Sequence, residues 1–166
     1  GVDKGDISAF YTVLVEGDDL QADPVADAAM AILDGHVILD RKLAEKGHFP
    51  AINVLRSVSR LDNQLLSATQ MKAVRTFRKK MSEYDHMEDM ISIGAYESGS
   101  NPELDQVIAV VPEIRNFLQQ ELRSSSSREE SAQGLLQLIS SMSNEESLNE
   151  TRNISAFNKA QRAGTQ

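Results

Sequence analysis

An α/β segment followed by an all-α segment is the fold class that this sequence predicts. Three observations carry it. Ile7-Ser8-Ala9-Phe10-Tyr11-Thr12-Val13-Leu14-Val15 is an uncharged β-branched and aromatic run, the pattern of a strand buried on both faces of a parallel sheet. From about Asp62 to Met142 apolar residues recur at steps of three or four, as one face of a helix requires. Beyond Met142 the chain turns polar and rich in Ser, Asn and Glu, so it is expected to be mostly disordered. The predicted organisation is therefore 1–63 as α/β, 64–142 as helical and 143–166 as a tail.

The elements follow in order. The first strand stops at the acidic turn Glu16-Gly17-Asp18-Asp19. Asp23-Pro24 is a helix start, with Asp23 as cap and Pro24 in the first turn. Val25, Ala28, Ala29 and Ile32 continue that helix until Asp34-Gly35 breaks it. Val37-Ile38-Leu39 is a short apolar run, and a helix from Arg41 to Lys46 is stopped by Gly47. Phe49-Pro50 then reads as extended, because proline disfavours helix at the residue before it. In the helical zone Met71, Val74, Phe77, Met81, Tyr84, Met87 and Ile91 make one stripe. Gly94 to Asn101 reads as a loop, and Asn101-Pro102 starts a helix. Pro112 is expected to begin another, carrying Ile114, Phe117, Leu118 and Leu122. Ser124 to Ser127 form a break, and Ser127-Arg128-Glu129-Glu130 is a capping box for a last helix with Leu135, Leu136 and Ile139.

Composition limits function. The chain has 166 residues and is 40% hydrophobic and 25% charged, which suits one domain, or one domain and a tail. Seventeen Lys and Arg face 25 Asp and Glu, for a net charge of -8. Such a charge repels phosphate backbones and anionic lipid, which argues against nucleic-acid and membrane-surface binding. There is no cysteine, which excludes disulfides, thiol catalysis and thiolate-held metals. No apolar run approaches the roughly 18 residues of a membrane span. Gly1 opens the chain without a signal pattern, so the start reads as a cut.

The motifs of a self-sufficient active site are missing. There is no GxxxxGK[ST], GxGxxG or HExxH, and His36, His48 and His86 lack ligand-like spacing, so no metal site is expected. Three places invite a functional reading. Asp18 and Asp19 follow a buried strand, where open α/β sheets bind ligands; a solvated loop is the plainer reading. Arg60 ends the turn Ser57-Val58-Ser59-Arg60 and could reach a phosphate across an interface; a surface arginine is the alternative. Phe49 could stack on a base or serve as core.

Three longer segments bear on those alternatives. They are Ile7 to Asp19, Ile32-Leu33-Asp34-Gly35-His36-Val37-Ile38-Leu39-Asp40-Arg41, and His48-Phe49-Pro50-Ala51-Ile52-Asn53-Val54-Leu55-Arg56-Ser57-Val58-Ser59-Arg60. In order and spacing they closely resemble the flagellar and type III secretion export ATPases, relatives of rotary ATP synthase subunits. Ile93-Gly94-Ala95-Tyr96 and Gly99-Ser100-Asn101-Pro102-Glu103-Leu104-Asp105 extend the resemblance, which covers about residues 4 to 140 and looks more flagellar than injectisome-like. The resemblance implies that 1–63 is the terminal part of a RecA-like P-loop NTPase domain and 64–142 the C-terminal helical domain. The phosphate loop, the Mg2+-coordinating aspartate and the catalytic glutamate would lie before Gly1. It implies a parent that hydrolyses ATP with Mg2+ as a cytoplasmic homohexamer, peripheral at the base of the export apparatus. Partners would be a coiled-coil stalk protein, substrate–chaperone complexes and export-gate proteins, and this chain alone would be inactive and hold no cofactor. Arg60 matches the arginine finger that enters the neighbouring subunit's site, Phe49 and Tyr96 match adenine-packing aromatics, and Asp18 and Asp19 match a loop facing the central channel. An injectisome ATPase, a rotary ATP synthase subunit and a non-catalytic helical interaction module are the other readings.

Overall fold

A computed structural model of the chain describes residues 4–5, 7–17, 19–20 and 22–142. Asp18 and the tail 143–166 lie outside the described residues. Helix α1 spans Pro24–Ile32 and starts as expected: the Asp23 carboxylate accepts from the N–H groups of Val25 (2.8 Å) and Ala26 (3.0 Å). Strand β1, Gly35–His36, pairs antiparallel with β2, Val58–Ser59. Between them lie a bridge from Leu39 to Ile52 and helix α2, Arg41–Glu45, capped by Asp40 and ended near Gly47 with φ 72°.

The run Ile7–Val15 does not form a strand. It carries no ladder among the described residues, and Ile7, Phe10 and Leu14 are exposed at 91%, 99% and 92%. Its residue types favour a strand, but a strand exists only when a neighbour takes up its N–H and C=O groups. No described segment lies alongside to do so.

The helical part begins with α3, Asp62–Leu65, and α4, Ala68–Ser92. Ser67 and Gln70 form a reciprocal capping box at the start of α4, which is worth about 1 kcal/mol. Helix α5, Pro102–Leu118, is capped by Asn101. Helix α6 runs over 128–142 behind the expected Ser127–Glu130 box. Pro112 begins no helix; it lies inside α5. An interior proline costs about 3 kcal/mol. Burial of Leu104, Val107, Val110, Val111 and Ile114 along the same helix, at about 1.5–3 kcal/mol each, outweighs that cost.

These helices meet around Phe77, Val110, Ile114, Leu138 and Met142. Phe77 and Phe117 pack edge to face with ring centroids 6.3 Å apart. Met81, Leu135 and Ile139 seal the cluster, and so does Val54, from the segment that precedes β2. The core therefore reaches across the sequence boundary at 63/64. Ile114 is 0% exposed, so Ile114→Ala should lower unfolding stability by about 2–5 kcal/mol. Leu122→Ala, at a side chain 98% exposed, should change it by no more than about 0.5 kcal/mol. Denaturant unfolding of the two variants checks both figures.

Candidate functional site

The candidate site is built on residues 53–60. The Asn53 side-chain oxygen accepts from the N–H groups of Leu55 (3.1 Å) and Arg56 (3.0 Å), folding the chain back in an Asx turn. Ser57 closes the turn: its N–H and hydroxyl both donate to the Asn53 carbonyl, and its Oγ accepts from Ile38 N–H at 3.0 Å. Asn53 Nδ2 donates to Asp40 Oδ2 at 2.9 Å. That bond, followed by the backbone N–H of Lys42 and the charges of Arg56 and Lys42, holds the Asp40 carboxyl below its ordinary value against the opposing effect of burial.

The chain then enters β2. A Cβ on Gly35 would stand 2.7 Å from the Val58 carbonyl oxygen, so this close approach needs glycine. Arg60 follows directly. Its N–H donates to the Asp34 carbonyl at 2.8 Å. Its exposed guanidinium donates through Nη2 to the carbonyls of Met30 and Ala31, both at 3.2 Å. These belong to the last turn of α1, where free carbonyls and the negative end of the helix dipole attract a cation. Asp19, Asp27, His36 and Arg56 line an open cleft of about 520 Å³ nearby.

Phe49 is 56% exposed, and its carbonyl accepts from Gln120 N–H just beyond α5. The adjacent His48 is buried, and burial, then the charge of Arg115, holds its pKa below the usual histidine range. Tyr96 is half-buried in the loop after α4. Its hydroxyl lies within hydrogen-bond reach of the Asn101 carbonyl (3.1 Å) and Asp105 Oδ1 (3.0 Å). Arg60, Phe49 and Tyr96 are thus each held by separate partners. Among the described residues no group of three His, Asp or Glu could hold a metal ion, and no helix is long and apolar enough to cross a membrane.

Sequence reasoning missed Arg78. From α4 it donates to three carbonyls of this same segment: Val54 (2.8 Å) and Ser57 (3.2 Å) from Nη1, and Leu55 (2.7 Å) from Nη2. Its place beside Phe77, on the edge of the apolar stripe, was the available signal.

A short α/β segment joined to a layer of helices is consistent with the C-terminal part of an EscN-type ATPase. Residues 1–59 match the family model for the ATP synthase alpha/beta family, nucleotide-binding domain, and residues 66–137 match that for the T3SS EscN ATPase C-terminal domain. The chain belongs to the flagellar export and type III secretion ATPase family and corresponds to the C-terminal portion of its members. It is 48% identical over 135 residues to the flagellum-specific ATP synthase of Pseudomonas aeruginosa, covering 81% of this chain and 30% of that protein. Among solved structures, the assembled ATPase EscN from the enteropathogenic E. coli type III secretion system matches with TM-score 0.71 and 38% identity, over 78% of this chain and 31% of EscN. EscN in complex with its central stalk EscO matches with TM-score 0.64 and 36% identity, over 70% and 29% of the two chains. The chain thus spans about 30% of the length of these relatives.

A pH dependence follows from Asp40. A carboxyl held low in the folded state stabilises it fully above the ordinary value of 3.8. That contribution is lost as pH falls through the folded-state value. Asp40→Asn should keep a cap on α2 but flatten the acid limb of stability below about pH 4. Thermal melts of both proteins from pH 7 to pH 3 measure the difference; parallel acid limbs would remove Asp40 from the account.

Proposed function

We propose that this chain is the C-terminal portion of a flagellum-specific protein-export ATPase, which hydrolyses ATP as a homohexameric ring to energise type III secretion. The observation that carries the reading is Arg60. In a chain matching these two family models in order, it stands exposed just after β2, the last residue of the His48–Arg60 segment that resembles the export ATPases. Residues 1–63 are read as the last part of a RecA-like domain, 64–142 as the helical domain and 143–166 as a tail.

Arg60 acts as a finger in the neighbouring subunit's site. Negative charge on the transferring γ-phosphoryl is greatest in the transition state, and a planar guanidinium can meet two of its oxygens at once. Its present partners, two neutral carbonyls at an exposed helix end, compete with water for the same donors, so the net hold of each is about 1 kcal/mol or less. A finger contributes about 4–7 kcal/mol to the transition state, enough to draw the side chain away. Phe49 offers an exposed π face for adenine. Tyr96 is assigned beside it, through its ring, since its hydroxyl is engaged within its own loop.

ATP phosphates and Mg2+ are assigned to parts of the family's members outside these residues, so the chain by itself is expected to be inactive. Asp18 and Asp19 are assigned to the channel-facing loop. EscN's complex with its central stalk supports a coiled-coil stalk partner. Substrate–chaperone complexes, export-gate proteins and a cytoplasmic place at the base of the export apparatus complete the proposal.

Arg60→Ala in the whole protein should lower kcat by about 10³–10⁵-fold and leave ATP binding and ring assembly nearly intact, because a finger acts only in the transition state. Arg60→Lys should recover little. Steady-state hydrolysis, nucleotide titration and sizing of the ring decide it; near-normal turnover in Arg60→Ala refutes the finger.

A further inference from the structure

Resting on the finger reading of Arg60, we infer that Arg78 is the positioning residue that sets the finger, by locking the finger-bearing turn to the helical layer. The three carbonyls that Arg78 grips, at 2.7–3.2 Å, belong to Val54, Leu55 and Ser57. Ser57 is three residues before Arg60, and only β2 lies between them. The grip is held firm from behind. Phe77, the preceding residue on α4, is 6% exposed in the core, and the side chain of Val54 packs on that same cluster. One guanidinium therefore joins the backbone of the turn to a helix that cannot shift without disturbing Val110, Ile114 and Leu138.

Chemistry explains why arginine suits the place. Three carbonyls pointing at one spot need several donors in a fixed fan, and a guanidinium has five. Arg78 is what bonds the turn's carbonyls to the helical layer. β2 is two residues long and exposed, and the other bonds of the turn, through Asn53, Ser57, Ile38, Asp40 and the Asp34 carbonyl, all lie within the α/β segment and do not tie it to the helices. Without Arg78 the Val54, Leu55 and Ser57 carbonyls lose their bonds to α4, and the turn that carries β2 and Arg60 is released from the helical layer. Displacement of a transition-state group by about 1 Å can cost about 10²-fold in rate. Movement of α4 against the α/β segment would pass through the same contact, so the helical layer gains control over a catalytic group it does not contain.

The test uses the whole assembled protein and six variants. Arg78→Met should lower kcat by about ten- to a hundredfold, with KM for ATP within about twofold of wild type and rings still formed. Arg78→Lys, which restores the charge and three donors but not the fixed fan, should recover only part of the loss. Lys79→Met, one residue along at an exposed pair with Glu83, should leave turnover unchanged. Adding Arg78→Met to Arg60→Ala should lower single-turnover rates no further, because a positioning residue has nothing left to position; a merely structural role would add its own loss. Should Arg78→Met fail to assemble, Arg78→Gln, which keeps one amide donor group, is read by the same kcat-against-KM split. Wild-type turnover in an assembled Arg78→Met or Arg78→Gln protein, or additive losses in the double variant, overturns the inference while the finger stands. Normal turnover in Arg60→Ala removes the finger and the inference together.

Discussion

The backbone of residues 53–60 has to satisfy its polar groups with almost no sheet to help, and much of the structure is arranged around that need. A buried or half-buried carbonyl left without a donor costs about 1–3 kcal/mol, and this segment presents several in a row. The partners come from three directions: the Asn53 side-chain oxygen, which accepts, and the Ser57 N–H and hydroxyl, which donate, within the turn; the Ile38 N–H, which donates, and the Asp34 carbonyl, which accepts, from the facing strand region; and the donating Arg78 guanidinium from α4. Among these bonds of residues 53–60, those from Arg78 cross between the two parts of the chain. A composition boundary at 63/64 is therefore not a mechanical boundary, since Val54 and the turn around it are packed and bonded as members of the helical layer.

That layer supplies a stiff platform. Ile114, Val107 and Met142 are almost wholly buried, and protein interiors of this kind respond to displacement by repacking rather than by continuous deformation. Polar contacts at its rim add less. Glu88 bridges Lys46 (2.9 Å) and Arg115 (3.2 Å), and Arg115 also lies over the Tyr84 ring. Exposed pairs of this type contribute about 0–1 kcal/mol. They orient the α2 region against α4 and α5 more than they stabilise it. Gln120, just past α5, donates to the Phe49 carbonyl, so the helical part also reaches the aromatic residue assigned to face nucleotide from the α/β part.

The exposed run Ile7 to Leu14 marks the opposite case. Its composition suits burial on two faces, and its side chains meet solvent. Extended apolar backbone with open hydrogen-bonding groups pairs readily with other strands. In a whole ATPase of this family, sheet neighbours are the physical requirement that such a run would have to meet.

The sequence by itself determined the local signals. Asp23-Pro24, Asn101-Pro102 and Ser127 with Glu130 marked helix starts because capping depends on a few adjacent residues. The stripe from Met71 to Ile91 marked the inward face of α4 for the same reason of periodicity. The resemblance to export ATPases was also legible, and with it Arg60 as a residue worth watching. Three matters were decided by tertiary structure. Pro112 stays inside α5, because burial around Ile114 outweighs a local penalty that sequence reasoning took as decisive. Ile7–Val15 forms no strand, because strand identity depends on a neighbour and not on the run itself. Arg78 serves the turn of Val54 to Ser57 from more than twenty residues away. No spacing rule encodes such a contact; it exists only once α4 has packed and brought a guanidinium within reach of three carbonyls.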